Sequence, residues 1–151
     1  LWRLHRVHHS DEDYDLTTGN RFHPLSIALS ALIKLVLVVT LGAPALAVLL
    51  AELTLNIMSM FNHSNISLSP AADRFLRTVI VTPDMHRIHH SRVYAEHNSN
   101  FGFNFSFWDR LLGTYLDKPQ GDQQSMPLGI KGFHGRSTRA IPALLAQPLD
   151  K

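Results

Sequence analysis

The sequence predicts an all-α integral membrane protein in which a transmembrane helical hairpin carries histidine-box helices on its cytoplasmic face. Three observations predict it. Residues 25 to 61 form a stretch of 37 residues whose only formal charges are Lys34 and Glu52. Gly42-Ala43-Pro44 divides that stretch at its middle. The pattern His-Arg-aliphatic-His-His-Ser is written twice, as LHRVHHS at residues 4–10 and MHRIHHS at residues 85–91, once on each side of the apolar stretch.

The first element is a helix carrying His5, His8 and His9. Positions i, i+3 and i+4 of an α-helix fall within a wedge of about 100°, so the three imidazoles converge. In RFHP, His23 precedes Pro24 at the entry to the apolar stretch, where it caps the next helix, orients a ligand from behind or is itself a metal ligand. That stretch is too long for one bilayer crossing, which takes roughly 20 residues. Split at the Gly-Ala-Pro turn it gives two legs, Leu25 to Gly42 and Pro44 to Phe61, each spanning about 27 Å at ~1.5 Å per residue. A Gly that ends one helix and a Pro that opens the next suit a tight turn. Two alternatives stay open: a pair of buried helices in a soluble all-α protein, and a hairpin that dips deeply without crossing. Charge placement favours the membrane. Arg3, Arg6 and Arg21 precede the hairpin, Arg74, Arg77, Arg87 and Arg92 follow it, and the tip has none, which puts both flanks in the cytoplasm. A two-leg hairpin returns the chain to the side it left, so both histidine clusters end on one membrane face.

Charge inside hydrocarbon requires a partner. Lys34 lies eight residues before Gly42 and Glu52 eight after Pro44, so the two sit at similar depth and are expected to face each other. Glu52, Asn56, Ser59 and His63 recur at spacings of 4, 3 and 4, one helical stripe running down to a histidine. The stripe either lines a route for a polar head or a proton, or packs the helices through hydrogen bonds. Residues 70 to 81 (PAADRFLRTVIV) read as a short amphipathic helix along the interface. Thr82-Pro83-Asp84 then supplies an N-cap, a first-turn Pro and a first-turn acid for a helix bearing His86, His89 and His90. NFGFNFSFWDRLLGTY at 100–115 is dense in aromatics and suits the headgroup level. From Lys118 onward Pro, Gly and Gln dominate, giving a loosely ordered tail over 118–151 with one short helix near Ala140 to Leu145.

Composition narrows the chemistry. Cysteine is absent, so disulfides and thiolate metal sites are excluded. The formal charge of +2 is small and its basic residues are dispersed, which leaves nothing for a nucleic-acid partner. The chain opens Leu1-Trp2-Arg3 with no signal-peptide pattern, and reads as a protein whose beginning is lost.

Six imidazoles gathered as cations would repel; neutral, they are metal ligands. Six exceed the four that one tetrahedral zinc takes, so two adjacent metal ions fit better, with His63 as a further ligand at the foot of the polar stripe. An all-nitrogen set suits Fe, Zn, Cu or Ni, and spacing does not choose among them. Solvent-facing polar helices are the bland alternative for either cluster alone. His97 reads as loop-bracing or as a support behind the ligands, alongside Asn65, and His134 has no assigned role. Asp11, Asp13, Asp84 and Asp109 either orient imidazoles through the second ring nitrogen or serve as caps and solvent-facing charges.

In this order, LWRLHRVHHS, RFHP, an apolar hairpin, FNHSN, TPDMHRIHHS and NFGFNFSFWDRLLGTY, the chain resembles the fatty acid hydroxylase/sterol desaturase superfamily, most of all its bacterial-type members, over residues 1 to about 116. The resemblance implies a partial domain over residues 1–117 and an O2-activating, non-haem di-iron centre on the cytoplasmic face. It implies a separate electron donor, of cytochrome b5 or ferredoxin type with its reductase, and hydroxylation or desaturation of a sterol or fatty-acyl lipid. Carried over by motif, His5, His8 and His9 match the family's first HxxHH box, His86, His89 and His90 its last, and His63 the FxHxN element between them. Asn100, Gly102, Trp108, Asp109, Gly113 and Thr114 match the segment after the last box, with a structural role. One departure is serious: the family's earlier HxxxH-type box and its preceding membrane helices are not in this sequence. The chain thus resembles the later two thirds of such an enzyme, lacks about two ligands, and is expected to be inactive alone. Two rival readings remain: a zinc-dependent membrane hydrolase using Asp84 or Glu96 as general base, and a non-catalytic membrane metal-binding module.

Overall fold

The computed structural model describes residues 1–150. Its helices are α1 (Trp2–His9), α2 (Pro24–Leu41), α3 (Ala45–Asn62), α4 (Pro70–Leu76), α5 (Pro83–His89), α6 (Tyr94–His97), α7 (Phe107–Leu112), α8 (Arg136–Arg139) and α9 (Ile141–Ala146). Two 3-10 turns, Leu16–Asn20 and Gln147–Leu149, complete the set. Among the described residues no strand forms; two isolated bridges, Ile80 with Phe105 and Ser91 with Leu128, are the only extended pairings.

The two long helices are the hairpin. Gly42 ends α2 in the left-handed region at φ 62°, which a side chain would oppose, and Pro44 caps α3 two residues later. No residue of α2 is buried, and on α3 only Ser59 and Asn62 are. Both helices are long and apolar enough to cross a membrane. A buried helix pair would hide these side chains; here Leu25, Leu32, Val39, Leu46, Leu50 and Ile57 are all exposed. An apolar surface of that extent belongs in lipid. Lys34 Nζ meets Glu52 Oε1 at 2.6 Å across the hairpin, as their matched depth predicts.

The hairpin's base carries the rest of the molecule. Ser59 Oγ donates to the carbonyl of Gly19 at 2.8 Å, clamping the first 3-10 turn onto α3. The backbones approach so closely that a Cβ on Gly19 would lie 2.9 Å from the Ser59 carbonyl oxygen. Outside the membrane the apolar core is small, Tyr14, Ile88, Met126 and Leu128 with Leu116 against them. Polar contacts do much of the remaining work. Asp109 takes the N–H groups of Phe101 and Gly102 at 2.7 and 2.9 Å and the Thr114 hydroxyl at 2.6 Å. Asn100 ties the Met85 and Leu116 carbonyls together, both at 3.0 Å.

One segment differs from expectation. The helix expected over 70–81 stops at Leu76; Ile80 bridges Phe105, and the N–H of Val81 donates to Asn104. The β-branched run Thr78-Val79-Ile80-Val81 explains the change, because such side chains favour extended backbone. In the C-terminal segment Met126 and Leu128 pack with Tyr14 and Ile88, and the turn Gln147–Leu149 lies on α1. Arg6 donates to the Gln147 carbonyl and, at 2.7 Å, to that of Asp150, and Gln147 is fully buried. The short helix expected near 140–145 is α9.

Candidate metal centre

Helix α5 starts where the sequence places it: the Thr82 side chain accepts from the N–H of Met85, and Pro83 occupies the first turn. Helix α1 ends at His9 and α5 at His89, and both lie at the foot of α3, where His63 is the C-cap. Seven imidazoles assemble there in two groups. His8, His63, His86 and His90 bring one ring nitrogen each within 4.8 Å of the others; His5, His9 and His89 do the same. The four-membered group is wholly buried, whereas His5 gives the three-membered group a half-buried side. His9 and His90 stack with centroids 4.3 Å apart, joining the groups.

The hydrogen bonds fix which nitrogen faces inward. Carbonyls of Thr18, Ser59 and Ser99 accept from Nδ1 of His8, His63 and His89 at 2.9, 2.7 and 2.8 Å. A carbonyl only accepts, so each Nδ1 bears the hydrogen and each neutral ring presents its Nε2 lone pair to the centre. Nε2 of His86 is 3.1 Å from that of His63 and, with its own Nδ1 unpartnered, can donate to it, yet Nε2 of His8 and Nε2 of His63, both lone-pair atoms in this tautomer, stand 3.1 Å apart. Opposed lone pairs repel unless a cation or a proton joins them. Burial opposes the proton: it pushes His8, His9, His86 and His90 well below the ordinary histidine value, helped by their neighbours' charge, and lowers His89 to about 4. Four further buried nitrogens, Nδ1 of His9, His86 and His90 and Nε2 of His90, have no partner. Neutral, convergent and unsatisfied imidazoles fit a divalent transition metal.

The other expected residues fall in several places. His23 caps α2, accepting from the N–H of Leu25 at 3.2 Å, and its Nε2 meets the Leu145 carbonyl; it touches no imidazole of the cluster. His97 packs its ring 5.1 Å from His9 and 6.2 Å from His89, beside the three-membered group. Asn65 is exposed, and the buried amide of this element is Asn62, which donates to the Phe103 carbonyl at 2.6 Å. The Asp84 carboxylate meets no imidazole; it faces an open polar cavity, and burial raises its pKa. Along the α3 stripe each group is occupied in packing: Glu52 with Lys34, Asn56 with the Glu52 carbonyl at 2.8 Å, and Ser59 with Gly19. Asp11 supports the cluster at one remove. It takes the Thr18 hydroxyl at 2.7 Å and pairs with Arg21 at 3.0 Å, steadying the carbonyl that holds His8. Asp13 pairs with Arg139 on the surface.

Sequence reasoning missed four aromatic neighbours. Tyr14 is buried between His63 and His90, with centroids at 5.5 and 4.9 Å, and donates to the Asn62 carbonyl at 3.0 Å; burial pushes its phenol up. Trp2 packs on His9, Phe22 stacks on His8 at 4.6 Å, and Phe101 meets His89 edge-on at 5.4 Å. No periodicity marks these residues. The 3-10 turn did carry a signal, since Asp15 and Thr18 form a reciprocal cap that the spacing D-x-x-T encodes.

Fold and site together define a class: a membrane protein whose apolar hairpin gathers a buried histidine cluster at its base. The chain belongs to the fatty acid hydroxylase family, whose model matches residues 1–114. It is 30% identical to the ornithine lipid hydroxylase OlsE of Rhizobium tropici over all of its own length and 43% of that protein's. It is 30% identical to alkylglycerol monooxygenase of Homo sapiens over 76% of this chain and 25% of that one, and 30% identical to the Danio rerio enzyme of the same name over 82% and 26%. The chain thus spans less than half the length of these relatives. No solved structure matches it.

Proposed function

We propose that this chain is the histidine-bearing part of a multi-pass membrane enzyme that hydroxylates a lipid with O2 at a di-iron centre on the cytoplasmic face. The observation that carries the proposal is the seven-imidazole cluster with its inward lone pairs, built at the foot of an apolar hairpin. In this reading His8, His63, His86 and His90 hold one metal ion, and His5, His9 and His89 hold the other. Iron held there would supply the oxidant for an unactivated C–H bond, which no acid or base side chain can break.

The chain's own residues do the rest. The Thr18, Ser59 and Ser99 carbonyls lock three rings in one tautomer, so they do not reorganise during turnover. Tyr14 and the stacked His9–His90 pair exclude water from the inner group. Trp2 and Phe101, both exposed, border the outer group with apolar edges suited to a lipid chain. Hydroxylation also consumes an electron pair, which calls for a separate donor of cytochrome b5 or ferredoxin type. The arginine bias of the flanks supports the cytoplasmic placement. The names of the relatives favour hydroxylation over desaturation, and a polar-headed lipid with an acyl or alkyl chain over a sterol.

The zinc-hydrolase reading lacks its base. Glu96 is buried with Oε1 accepting from the N–H of Gln120 at 2.6 Å, and Asp84 stands apart from the cluster. The test is metal analysis of the full-length parent from iron-replete cells, with lipid product analysis for His89→Ala. Iron together with a hydroxylated product lost in the variant supports the proposal. Zinc at full occupancy, hydrolytic turnover and no O2 consumption overturn it.

A further inference from the structure

Beside the hairpin's base, α4 and α7 expose a second apolar surface that the histidine cluster does not use. The segments are pinned together through one carbonyl. Arg77 accepts from the Ser106 hydroxyl at 2.6 Å and from Arg110 Nη2 at 3.0 Å, while the N–H of Ser106 donates to Val79 at 3.1 Å. From this joined platform Phe75 (76% exposed), Leu111 (72%), Leu112, Val79, Trp108 and Phe107 reach into solvent. Phe107 and Trp108 pack on each other with centroids 4.8 Å apart. Side chains this large and this exposed need a cover.

Their position says what covers them. Asn62, the last residue of α3, donates to the Phe103 carbonyl at 2.6 Å, so the loop leading into α7 is fastened where the hairpin leaves the bilayer. The surface follows directly on that fastened loop and mixes Trp and Phe with aliphatic residues, the composition of the headgroup layer. Two exposed arginines, Arg74 and Arg110, border a cavity of about 690 Å³ that Asp73, Asp84, Asp117 and Asp122 also line; neither arginine is ion-paired with a carboxylate, and the Arg110 guanidinium lies over the Tyr115 ring at 3.7 Å. A phosphate supplies what they lack.

We propose that the α4–α7 platform is a monolayer-docking surface, with its apolar side chains inserted among phospholipid headgroups and upper acyl chains and Arg74 and Arg110 on lipid phosphates. It rests on the hairpin being in the membrane and not on the chemistry at the histidines.

The test uses Trp108 as reporter. In the Trp2→Phe chain, reconstituted in phosphatidylcholine vesicles, Trp108 is the sole tryptophan. Lipid brominated high on the acyl chain is expected to quench roughly half of its emission, with weak quenching by aqueous acrylamide. Leu111→Asp with Leu112→Asp is expected to reverse that balance. A separate reporter, Leu37→Trp with both native tryptophans replaced by Phe, reads the hairpin alone. Quenching at residue 37 with none at Trp108 overturns the platform and leaves the hairpin standing; failure at both overturns both. Trp108 shielded from acrylamide yet untouched by bromolipid means a protein covers the surface, which also overturns the proposal.

Discussion

Replacing Gly19 by Ala tests whether the first 3-10 turn and α3 together set the geometry of the histidine cluster. The added Cβ would stand 2.9 Å from both the carbonyl oxygen and Oγ of Ser59 and 3.2 Å from its carbonyl carbon, and two of those atoms are backbone. Neither element yields without moving as a unit. Separation breaks the Ser59 Oγ bond to Gly19 and displaces two acceptors at once, the Ser59 carbonyl that holds His63 and the Thr18 carbonyl that holds His8. Overpacking of this kind costs about 1–3 kcal/mol, and a lost buried hydrogen bond adds roughly 1 kcal/mol. Metal affinity at the four-histidine group should fall by about 10–100-fold, the usual effect of disturbing what holds a ligand ring. The assay pairs thermal unfolding in detergent with competitive metal titration, and Gly121→Ala, whose Cβ would meet nothing, serves as control. Wild-type melting with unchanged metal retention would refute the reasoning, since the clamp would then be irrelevant to the site.

Four further outcomes are expected. His89→Ala should remove one of two bound metal equivalents and His90→Ala the other, because the rings belong to different groups; elemental analysis of the two variants checks this. Lys34→Leu should destabilise the hairpin by about 2 kcal/mol by leaving Glu52 alone in the membrane, and Lys34→Leu with Glu52→Leu should recover most of it, read as the unfolding midpoint in detergent. Chelator-treated protein should lose stability as pH falls from 6.5 towards about 4: His89 is depressed in the fold, so the unfolded chain takes up its proton first, and acid titration followed by near-UV circular dichroism measures the loss. At lower pH the tail should loosen. Glu12, held down at about 2 from its ordinary 4.5 chiefly by the hydrogen bond from His134, stabilises the fold above 4.5 and ceases to as pH falls to about 2. Its contacts with His134, Gly135, Thr138 and Arg92 are worth about 1 kcal/mol at this surface, and hydrogen exchange at residues 134–138 in Glu12→Gln would report their loss.

The parts of the fold legible in the sequence are those written in local chemistry. Gly42 and Pro44 mark the turn because left-handed backbone and a blocked N–H are properties of single residues, and the helices they bound begin and end within one residue of the expected legs. The Lys34–Glu52 pair follows from counting outward from that turn. The convergence of the two HRxHHS copies follows from helical spacing plus a hairpin that returns the chain. What stayed hidden depends on partners distant in sequence. Tyr14 sits with φ at 37° between two histidines 49 and 76 residues away, and nothing in DEDYD foretells it. Gln147 is the one polar residue in LLAQPL, and its burial follows from Arg6 and Ser10 across the chain, which donate to its backbone and side-chain carbonyls. Residues 78–81 read as the end of a helix over 70–81, and the contact that decides otherwise, Ile80 with Phe105, is tertiary.

The cluster also bears on how the chain folds. A buried polar atom without a partner costs about 1–3 kcal/mol, and His9, His86 and His90 contribute four such nitrogens in a region whose apolar core is only a handful of side chains. Tail, 3-10 turn and α3 contacts hold α1 and α5 together against that penalty, through Arg6, Ser59 and Asn62 in particular. An arrangement that breaks the rule of satisfied interiors this thoroughly persists where the same groups serve a ligand. Coordination would turn the four nitrogens and the opposed lone pairs from a liability into bonds, and on the proposed function metal binding and closure of α1 onto α5 would be one equilibrium. Metal added to chelator-treated protein should therefore raise the melting temperature of the histidine region while leaving the hairpin unchanged. If hydrogen exchange in α1 and α5 is the same with and without metal, the cluster is held by packing alone and the coupling is wrong.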